Sequence, residues 1–386
     1  MHFGAERPVA GGASPVLQPS AHPPSYPVPL RPRTMEEISA GSPGELSIRT
    51  TRWRYSLNFF GDTSLSMGRP TSSHPLSFSI GAQDALVKGE LGDHFVATAE
   101  IAMEAQETGF VVDVERFNVR WRSEHFFIEA GRSHTAVGYW NNAYHHGKWL
   151  QPTIDRPRWV EFEDSGGMLP VHWVGIDIGA KLSLGAATLN LVASVGNGRG
   201  VIVDDVRNTG DYQSQKAVHV QAELVGLGAP DLRIGVAGVA DRIPGQSAVL
   251  RPALPDRPID ELIGSAHVAY ASVPLLFITE GYAVLHRADG SAWVTYGGFA
   301  LLGYAFGRYT PYLQFERIAS SGGRDPFFSP GRPDEVVASF DTAEGIVGIR
   351  IDLSDWTALK GEYRFTRALD TTTDLQEGLL NWSWGF

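Results

Sequence analysis

The chain has 386 residues, a net charge of −11 and no cysteine. Thiolate metal centres, cysteine nucleophiles and disulfide scaffolds are therefore excluded. The acidic balance argues against DNA or RNA as a partner, since no basic stripe is present to neutralise phosphates. Only 19% of the residues are charged, and the 43 glycines separate many short apolar stretches, which favours an all-β architecture. No run of about 18 apolar residues predicts a transmembrane helix, although barrel strands would escape such a search.

The first element in chain order is a segment over residues 1–50 that is rich in Pro, Gly and Ser. It lacks apolar periodicity, so we predict a disordered periplasmic N-terminal segment. The alternative is a plug or docking segment in an extended Pro-rich conformation. Met1–Pro15 has no apolar core and is not a secretory signal peptide. We therefore expect that a leader was removed before numbering or that the reading frame starts upstream.

From Arg52 onward, apolar and polar residues alternate with a period of two, which is typical of β-strands. Trp53, Tyr55 and Leu57, for example, alternate with Arg54 and Ser56. We predict strands at 52–66, 76–91, 94–105, 110–122, 125–132, 171–182, 184–196, 213–226, 231–241, 263–273, 275–287, 292–306, 309–318, 343–353, 355–366 and 376–386.

Loop lengths separate a barrel from a soluble sandwich, which would show the same alternation. Every second connection is tight: Gly92-Asp93, Ser123-Glu124, Ser183, Leu227–Pro230, Pro274, Gly307-Arg308 and Ser354. Most others are long, notably 133–170, 197–212, 242–262 and 319–342. Tight turns at one end and long loops at the other indicate a single antiparallel transmembrane barrel of about 16 strands over residues 51–386.

The last strand carries the family resemblance. Trp382, Trp384 and Phe386 stand in phase, and this pattern resembles the terminal signal of bacterial outer-membrane proteins. That resemblance implies recognition by the barrel-assembly machinery. The predicted barrel as a whole resembles sixteen-stranded Gram-negative porins, including the group related to phosphate-selective porins. It implies an outer-membrane location, a surrounding lipid bilayer and a homotrimer. It also implies that the third outer loop, here 133–170, folds into the lumen.

The third loop holds the densest chemistry in the chain, which suggests a constriction with charges facing water and aromatics against the wall. The alternative is a loop that covers the mouth or packs at a trimer interface. The candidate constriction residues are Tyr139, Trp140, His145, His146, Lys148, Asp155, Arg156, Arg158, Glu161 and Glu163.

The inward strand faces are predicted to be mostly polar, as in a water-filled lumen. The candidate wall residues are Arg120, Arg122, Lys181, Arg233, Glu280, Arg350 and Arg364. Acidic residues are mixed among them, so the one-sided basic run of a phosphate channel is not found, and we do not carry phosphate selectivity over.

Other chemistry finds little support in the sequence. His134, His145, His146 and His172 are interpreted as ordinary loop histidines, because adjacent residues diverge and no clear carboxylate spacing completes a zinc site. Glu161, Glu163 and Asp164 could suggest a calcium site, but the twelve-residue EF-hand loop is absent. The Gly196–Gly200 stretch is interpreted as a flexible outer loop. No hydrolase, nucleotide or metalloprotease motif is found, so we expect no catalytic residues, metal or cofactor.

These observations favour passive diffusion of small hydrophilic solutes or ions through a porin-like channel. An outer-membrane transporter of apolar solutes with an N-terminal hatch is one alternative, and it requires an apolar lumen. A barrel enzyme is another, and it requires a Ser/His or Asp/His pair on facing strands. A structural or adhesive barrel would have its lumen filled with side chains.

Overall fold

The computed structural model describes residues 46–49, 52–68, 76–106, 109–145, 147–161, 167–200, 210–211, 214–245, 257–322, 325, 327–328, 341–369 and 374–386. These residues form eighteen strands, a short helix α1 (Tyr139–Ala143) and a 3-10 turn (Arg158–Val160). The strands are β1 Leu46–Arg49, β2 Trp53–Met67, β3 Leu76–Ile80, β4 Gln83–Leu91, β5 Phe95–Gln106, β6 Gly109–Arg122, β7 Phe126–His134, β8 His172–Leu184, β9 Ala187–Gly196, β10 Ala217–Val225, β11 Leu232–Ile243, β12 Ile259–Ser272, β13 Leu275–Ala288, β14 Ser291–Tyr304, β15 Tyr309–Ser321, β16 Thr342–Ser354, β17 Thr357–Ala368 and β18 Asp374–Gly385.

The strands close into one antiparallel barrel. From β4 onward each strand pairs with the next, and β18 returns to pair with β2, with Gly378 opposite Met67 and Gly385 opposite Phe60. β3 and β4 both pair with β2 and act as one strand interrupted between Ile80 and Gln83. The barrel wall therefore has sixteen strands, and β1 is an additional strand. This confirms the predicted fold class.

β1 covers an edge that the barrel would otherwise leave open. β18 and Phe386 pair with β2 only from Phe59 onward, whereas β2 already begins at Trp53. β1 pairs with the earlier part of β2, placing Leu46 opposite Leu57. Residues 46–49 thus form a strand inside a segment predicted to be disordered. The rest of that Pro-rich segment lies outside the described residues.

The two faces of each strand meet different surroundings. In β13, Leu276, Ile278 and Glu280 are buried on the inward face, while Gly281 and Ala283 are exposed on the outward face. Large apolar residues dominate the outward face around the barrel. Examples are Phe78, Val112, Phe117, Val236, Leu302, Leu313, Val347 and Trp382. An apolar surface of this kind suits contact with lipid. The barrel pairing meets the second condition for a bilayer, because it satisfies the backbone hydrogen bonds of the strands.

Connection lengths alternate as predicted. Tight connections at 92–94, 123–125, 185–186, 226–231, 273–274, 305–308 and 355–356 lie at one end of the barrel. The other end carries 135–171, 197–216, 244–258 and 322–341. Four predicted boundaries were wrong by three or more residues: the starts of β9, β10 and β12 and the end of β15. The turn expected at Ser183 begins at Gly185, whose φ of 67° suits glycine, and β12 begins at Ile259 instead of residue 263.

A search of the described helices finds none that is both long and apolar enough to cross a bilayer.

Candidate functional site

The third loop, residues 135–171 between β7 and β8, folds into the barrel as predicted. Its first contact is with β13. The backbone N–H groups of Tyr139 and Trp140 both donate to the Glu280 carboxylate at 2.7 Å, and the Tyr282 hydroxyl donates to it as well. The close approach requires Gly138, where φ is 80° and a Cβ would lie 2.7 Å from Glu280 and Tyr282. This carboxylate therefore binds the beginning of α1 to the wall.

A second contact holds the middle of the loop to β16 and β17. The Lys360 ammonium donates to the carbonyls of Gln151 and Thr153 at 2.8 and 2.7 Å. The Arg350 guanidinium donates to the carbonyls of Trp149 and Gln151 at 2.6 and 3.0 Å. Two wall cations thus bind the carbonyl groups of one loop turn, which pairs buried charges with buried acceptors.

The part of the loop that follows Thr153 meets wall carboxylates. The backbone N–H of Ile154 donates to Glu362 at 2.6 Å, and that of Arg158 donates to Glu316 at 2.8 Å. The Arg158 guanidinium also forms an ion pair with Glu344 at 2.9 Å. The contacts therefore extend over the wall from β13 to β17. Because the loop is bound near its beginning and along its middle, its described residues form a packed layer inside the barrel.

Aromatic residues of the loop pack on an apolar patch of the wall. The Trp140 ring lies edge-on to Phe299 at 5.8 Å, and the Trp159 ring stacks on Tyr282 at 5.4 Å. The inward apolar residues of β11 to β16 in this cluster are Val239, Ile263, Ala269, Leu276, Ile278, Val284, Phe299, Leu301, Ile318 and Ile346. The expectation of a mostly polar inward face is therefore wrong for this part of the wall. Its apolar residues are buried under the loop.

A chain of alternating charges runs where the loop meets the wall. The Lys148 ammonium lies 2.9 Å from Asp155 and 3.8 Å from Asp62. The other Asp155 oxygen lies 2.9 Å from the Arg364 guanidinium, which in turn pairs with Glu362. The inner members Lys148, Asp155 and Arg364 therefore each lie between two opposite charges, so the charges along this row are locally balanced.

The pKa values of the loop residues Lys148 and Glu161 are shifted in this region. Burial opposes the charged form of Lys148, but the Asp155 and Asp62 carboxylates outweigh burial and raise its pKa, so it stays charged. Burial and the Asp155 carboxylate raise the pKa of Glu161 to about 7, against partial compensation by Arg156. Glu161 therefore changes charge near neutral pH.

The predicted constriction residues fall into two groups. Tyr139, Trp140, His145 and Arg156 are buried among loop and wall, so they support the loop and do not face water. Lys148, Asp155, Arg158 and Glu161 keep part of their side chains exposed. His146 and Glu163 lie outside the described residues.

The predicted wall residues also divide. Glu280, Arg350 and Arg364 bind the third loop or its charge chain. The remaining four lie near the tight turns and are partly or largely exposed: Arg120, Arg122, Lys181 and Arg233. Arg120 pairs with Glu129, Arg122 with Glu90 and Arg233 with Glu223, so this mouth carries both signs of charge.

Sequence reasoning missed a buried network behind the loop. His286 lies between Glu261 at 2.9 Å and Asp325 at 2.7 Å, and Arg199 lies 3.1 Å from Glu261. The Arg199 N–H also donates to Asp241 at 2.7 Å. The flexible outer loop expected at Gly196–Gly200 is thus wrong for Arg199, which is buried. An isolated arginine among glycines gave no signal of its partners, which come from β11, β12 and the 322–341 connection.

The loop histidines also come together. His134, His145 and His172 place their ring nitrogens within 4.8 Å of one another, next to Glu115. The sequence interpretation treated them as independent residues. The available signal was their position at the two ends of the third loop and just after α1, but only strand pairing brings those positions together.

No protein-family model and no curated protein matches this chain. Solved structures do match. An anion-selective porin from Comamonas acidovorans is 12% identical, with 86% of this chain and 100% of the porin covered and a TM-score of 0.60. The outer membrane channel DcaP of Acinetobacter baumannii is 11% identical, with 88% and 99% covered and a TM-score of 0.57. OmpT, an outer membrane protein of Vibrio cholerae solved in a trimer form, is 10% identical, with 87% and 100% covered and a TM-score of 0.55.

The closed sixteen-stranded wall, the apolar outer surface and the in-folded third loop define an outer-membrane β-barrel with the porin fold. This is the fold of Gram-negative outer-membrane proteins, and the apolar outer surface of the described strands suits contact with a lipid bilayer, as the sequence predicted.

Proposed function

We propose that this chain is a porin-like channel through which small hydrophilic solutes or ions diffuse passively across the outer membrane. The supporting observation is the chain of partly exposed charges where the third loop meets the wall. Lys148 and Asp155 come from the loop, and Arg364 comes from β17. Charged groups of this kind at a narrowing of an aqueous pore select solutes by their charge.

The constriction in this proposal consists of Lys148, Asp155, Arg158 and Glu161. The buried residues Tyr139, Trp140, His145 and Arg156 act indirectly by fixing the loop. Because Lys148, Asp155 and Arg158 each pair with a charge of opposite sign, we propose moderate charge selectivity and no specific phosphate site. His146 and Glu163 remain sequence-based candidates.

The transporter of apolar solutes has less support. It needs an accessible apolar lining, whereas the apolar wall patch is covered by Trp140 and Trp159. A barrel enzyme requires a Ser/His or Asp/His pair on facing strands. His286 and Asp325 are such a pair in kind, but Asp325 lies in the 322–341 connection and not on a strand. His286, Asp325 and Glu261 are fully buried, so a substrate would not reach them in this arrangement. The absence of enzymatic activity therefore stays a prediction.

Three further parts of the proposal come from the resemblance. A homotrimer is proposed, with support from the trimer form of the Vibrio cholerae protein. Recognition of Trp382, Trp384 and Phe386 by the barrel-assembly machinery is proposed from their in-phase positions on the last strand. The Pro-rich residues before β1 are proposed to form a disordered periplasmic segment.

The experiment is single-channel recording in planar bilayers with purified protein. We expect stepwise conductance, and Asp155→Asn should shift the permeability ratio towards anions because Lys148 and Arg364 lose a shared anion. An uncompensated unit charge about 4 Å from an ion is worth about 1 kcal/mol in water, so the shift should reach up to about fivefold.

The matched control is Asp289→Asn, which removes the same charge from the exposed turn between β13 and β14. Asp289 has a φ of 49°, a conformation that asparagine also tolerates. This variant should leave the permeability ratio unchanged. Complete absence of current from correctly folded protein would refute the channel, and equal shifts in both variants would refute the constriction.

A further inference from the structure

Three histidines meet where the third loop leaves and rejoins the wall. His134 ends β7 and His172 begins β8, and the two are directly paired across the strands. His145 follows α1 within the loop. Their ring nitrogens all lie within 4.8 Å of one another, and the His134 and His145 rings stack at 3.5 Å. Residues far apart in sequence are thus brought together by the pairing of β7 with β8.

A β-bulge adds a carboxylate to this group. The β5–β6 register shifts so that Glu100 faces Arg116 and Ile101 faces Val114, which leaves Glu115 as the extra residue of β6. Bulges re-aim side chains, and here the Glu115 side chain is buried inside the barrel. Its Oε2 lies 2.6 Å from His172 Nε2 and 4.0 Å from His145 Nε2.

The ligand atoms surround one small volume. His145 Nε2 and His172 Nε2 are 2.8 Å apart, and each is within 4.0 Å of the Glu115 oxygen. Tetrahedral zinc ligands with bonds of about 2.1 Å lie about 3.4 Å apart. If each of these three atoms moved by a few tenths of an ångström, all three could bind one ion, with His134 as a fourth ligand.

Asn141 favours the tautomer of His145 that such binding needs. The Asn141 amide nitrogen lies 3.3 Å from the Thr135 carbonyl and 3.4 Å from the Val171 carbonyl, which turns its oxygen towards His145. That oxygen is 2.9 Å from His145 Nδ1. When Nδ1 carries the proton it donates to this oxygen, and the Nε2 lone pair then faces His172 and Glu115. The Arg156 guanidinium, 3.2 Å from the same Nδ1, donates to the Asn141 oxygen at 3.4 Å in that arrangement. Metal-binding histidines are commonly oriented in this way by a second hydrogen bond.

We propose that His134, His145, His172 and Glu115 bind a divalent transition-metal ion, of the kind represented by Zn²⁺, and thereby fasten the third loop to the wall. Three imidazoles and one carboxylate are a donor set that suits zinc. The ion would join the start, the interior and the end of the loop to β6. The proposal concerns ion binding and does not depend on channel activity.

The surrounding charges include both signs. Arg156 lies 3.2 Å from His145 Nδ1 and opposes a cation, whereas Glu100 lies 3.9 Å from His134 Nε2 and favours one. Glu100 also pairs with Arg116 at 2.6 Å. Arg156 approaches the nitrogen that faces away from the proposed ion, so its effect on affinity is reduced by distance.

The test is metal binding by the full chain, refolded in detergent and freed of metal with a chelator. Zn²⁺ should bind with one ion per chain by calorimetry, and Co²⁺ should give the visible absorption of a tetrahedral nitrogen and oxygen site. His145→Gln and His172→Gln should abolish both signals. Asn141→Ala should weaken binding by about 10- to 100-fold, since Asn141 positions a ligand without binding the ion.

The control is His267→Gln, which alters another buried inward histidine, one that bonds to Glu223. This variant should bind Zn²⁺ like the parent chain. Heat-dependent gel mobility verifies that each variant is folded. The proposal is overturned if folded parent protein binds no Zn²⁺ and gives no Co²⁺ spectrum. It is also overturned if His145→Gln and His172→Gln bind as the parent does, because exposed histidines would then account for the signal.

Discussion

At the scale of single residues, Glu161 is a loop carboxyl whose charge changes near neutral pH. Burial and the neighbouring Asp155 raise its pKa to about 7, from an ordinary value of 4.5. The pKa of Lys148 is also raised, by the carboxylates of Asp155 and Asp62, but for an ammonium group a raised pKa favours the charged form, so Lys148 stays cationic. The two side chains differ because a nearby anion destabilises a carboxylate and stabilises an ammonium.

The pKa of Glu161 predicts a pH-dependent channel. Glu161 is neutral below about pH 6 and negative above about pH 8, so cation permeability should rise over that interval. Reversal potentials in a salt gradient at each pH would measure the change. Glu161→Gln should remove the pH dependence, while the exposed Glu124→Gln at a tight turn should retain it. A Glu161→Gln channel with an unchanged pH profile would contradict the prediction.

The same shift affects stability. Between the unfolded pKa and about 7, the folded chain holds a proton on Glu161 that the unfolded chain has lost. The free energy of unfolding therefore falls as the pH rises through this interval. Below the interval, the stabilising contribution of protonated Glu161 is fully present.

At the scale of elements, the third loop is held by complementary pairing between its backbone and wall charges. Carboxylates of Glu280, Glu316 and Glu362 accept from loop N–H groups, and Arg350 and Lys360 donate to loop carbonyls. A loop has few internal backbone hydrogen bonds, so these partners replace the ones that a helix or strand would provide. The aromatic residues then exclude water from the same interface.

Glu280→Gln tests this anchoring. The amide keeps the shape of the side chain but can accept at only one of its two terminal atoms, so one buried N–H of α1 should lose its partner. That loss should cost about 1–3 kcal/mol locally. Hydrogen exchange should show faster exchange for Tyr139–Ala143, with little change in the barrel strands. Asp177→Asn, an inward substitution on β8, should leave α1 protected, and equal exchange in both variants would contradict the anchoring.

At the scale of the whole molecule, the barrel is inverted relative to a soluble protein, because its large apolar residues face outwards. Val347 lies in the middle of β16 with 58% of its surface exposed, and Leu353 near the turn end has 47% exposed. In lipid these exposed surfaces are covered by acyl chains. Depth in the membrane, and not exposure itself, then decides how a charge is tolerated.

This arrangement predicts a contrast along one strand. Val347→Arg should destabilise the barrel by about 2–4 kcal/mol, whereas Leu353→Arg near the interface should cost about 0–1 kcal/mol. Denaturant unfolding in lipid vesicles measures both. Equal costs would mean that these two positions do not lie at different depths in a bilayer.

Much of the fold follows from local sequence. Alternation along β2 or β16 requires only neighbouring residues, and the short and long connections are visible as turn residues between strands. The sixteen-stranded wall was predicted on that basis, whereas the in-folded loop was expected from the resemblance to porins. Interruption of the second wall strand between Ile80 and Gln83 was not predicted, because Gly81-Ala82 lies within an otherwise continuous pattern.

The candidate site was predicted less completely. The loop and many of its charged residues were identified, since dense polar and aromatic residues in a long connection are visible in the sequence. The sequence did not show which of them face water, because Arg156 and Arg158 look equivalent along the chain. In the structure Arg156 lies against His145 of the loop, whereas Arg158 pairs with Glu344 of the wall. The apolar inward patch was missed for the same reason. Alternation shows that two faces differ, but not what covers each of them.

The sequence by itself determined the strands, their order and the outward apolar surface of this protein, since these depend on residues a few positions apart. Only the tertiary structure decided where the third loop lies against the wall, which charges it leaves exposed and that His134, His145, His172 and Glu115 meet. These contacts join residues brought together by strand register, by one bulge and by closure of the barrel. Such long-range geometry leaves no periodic trace along the chain.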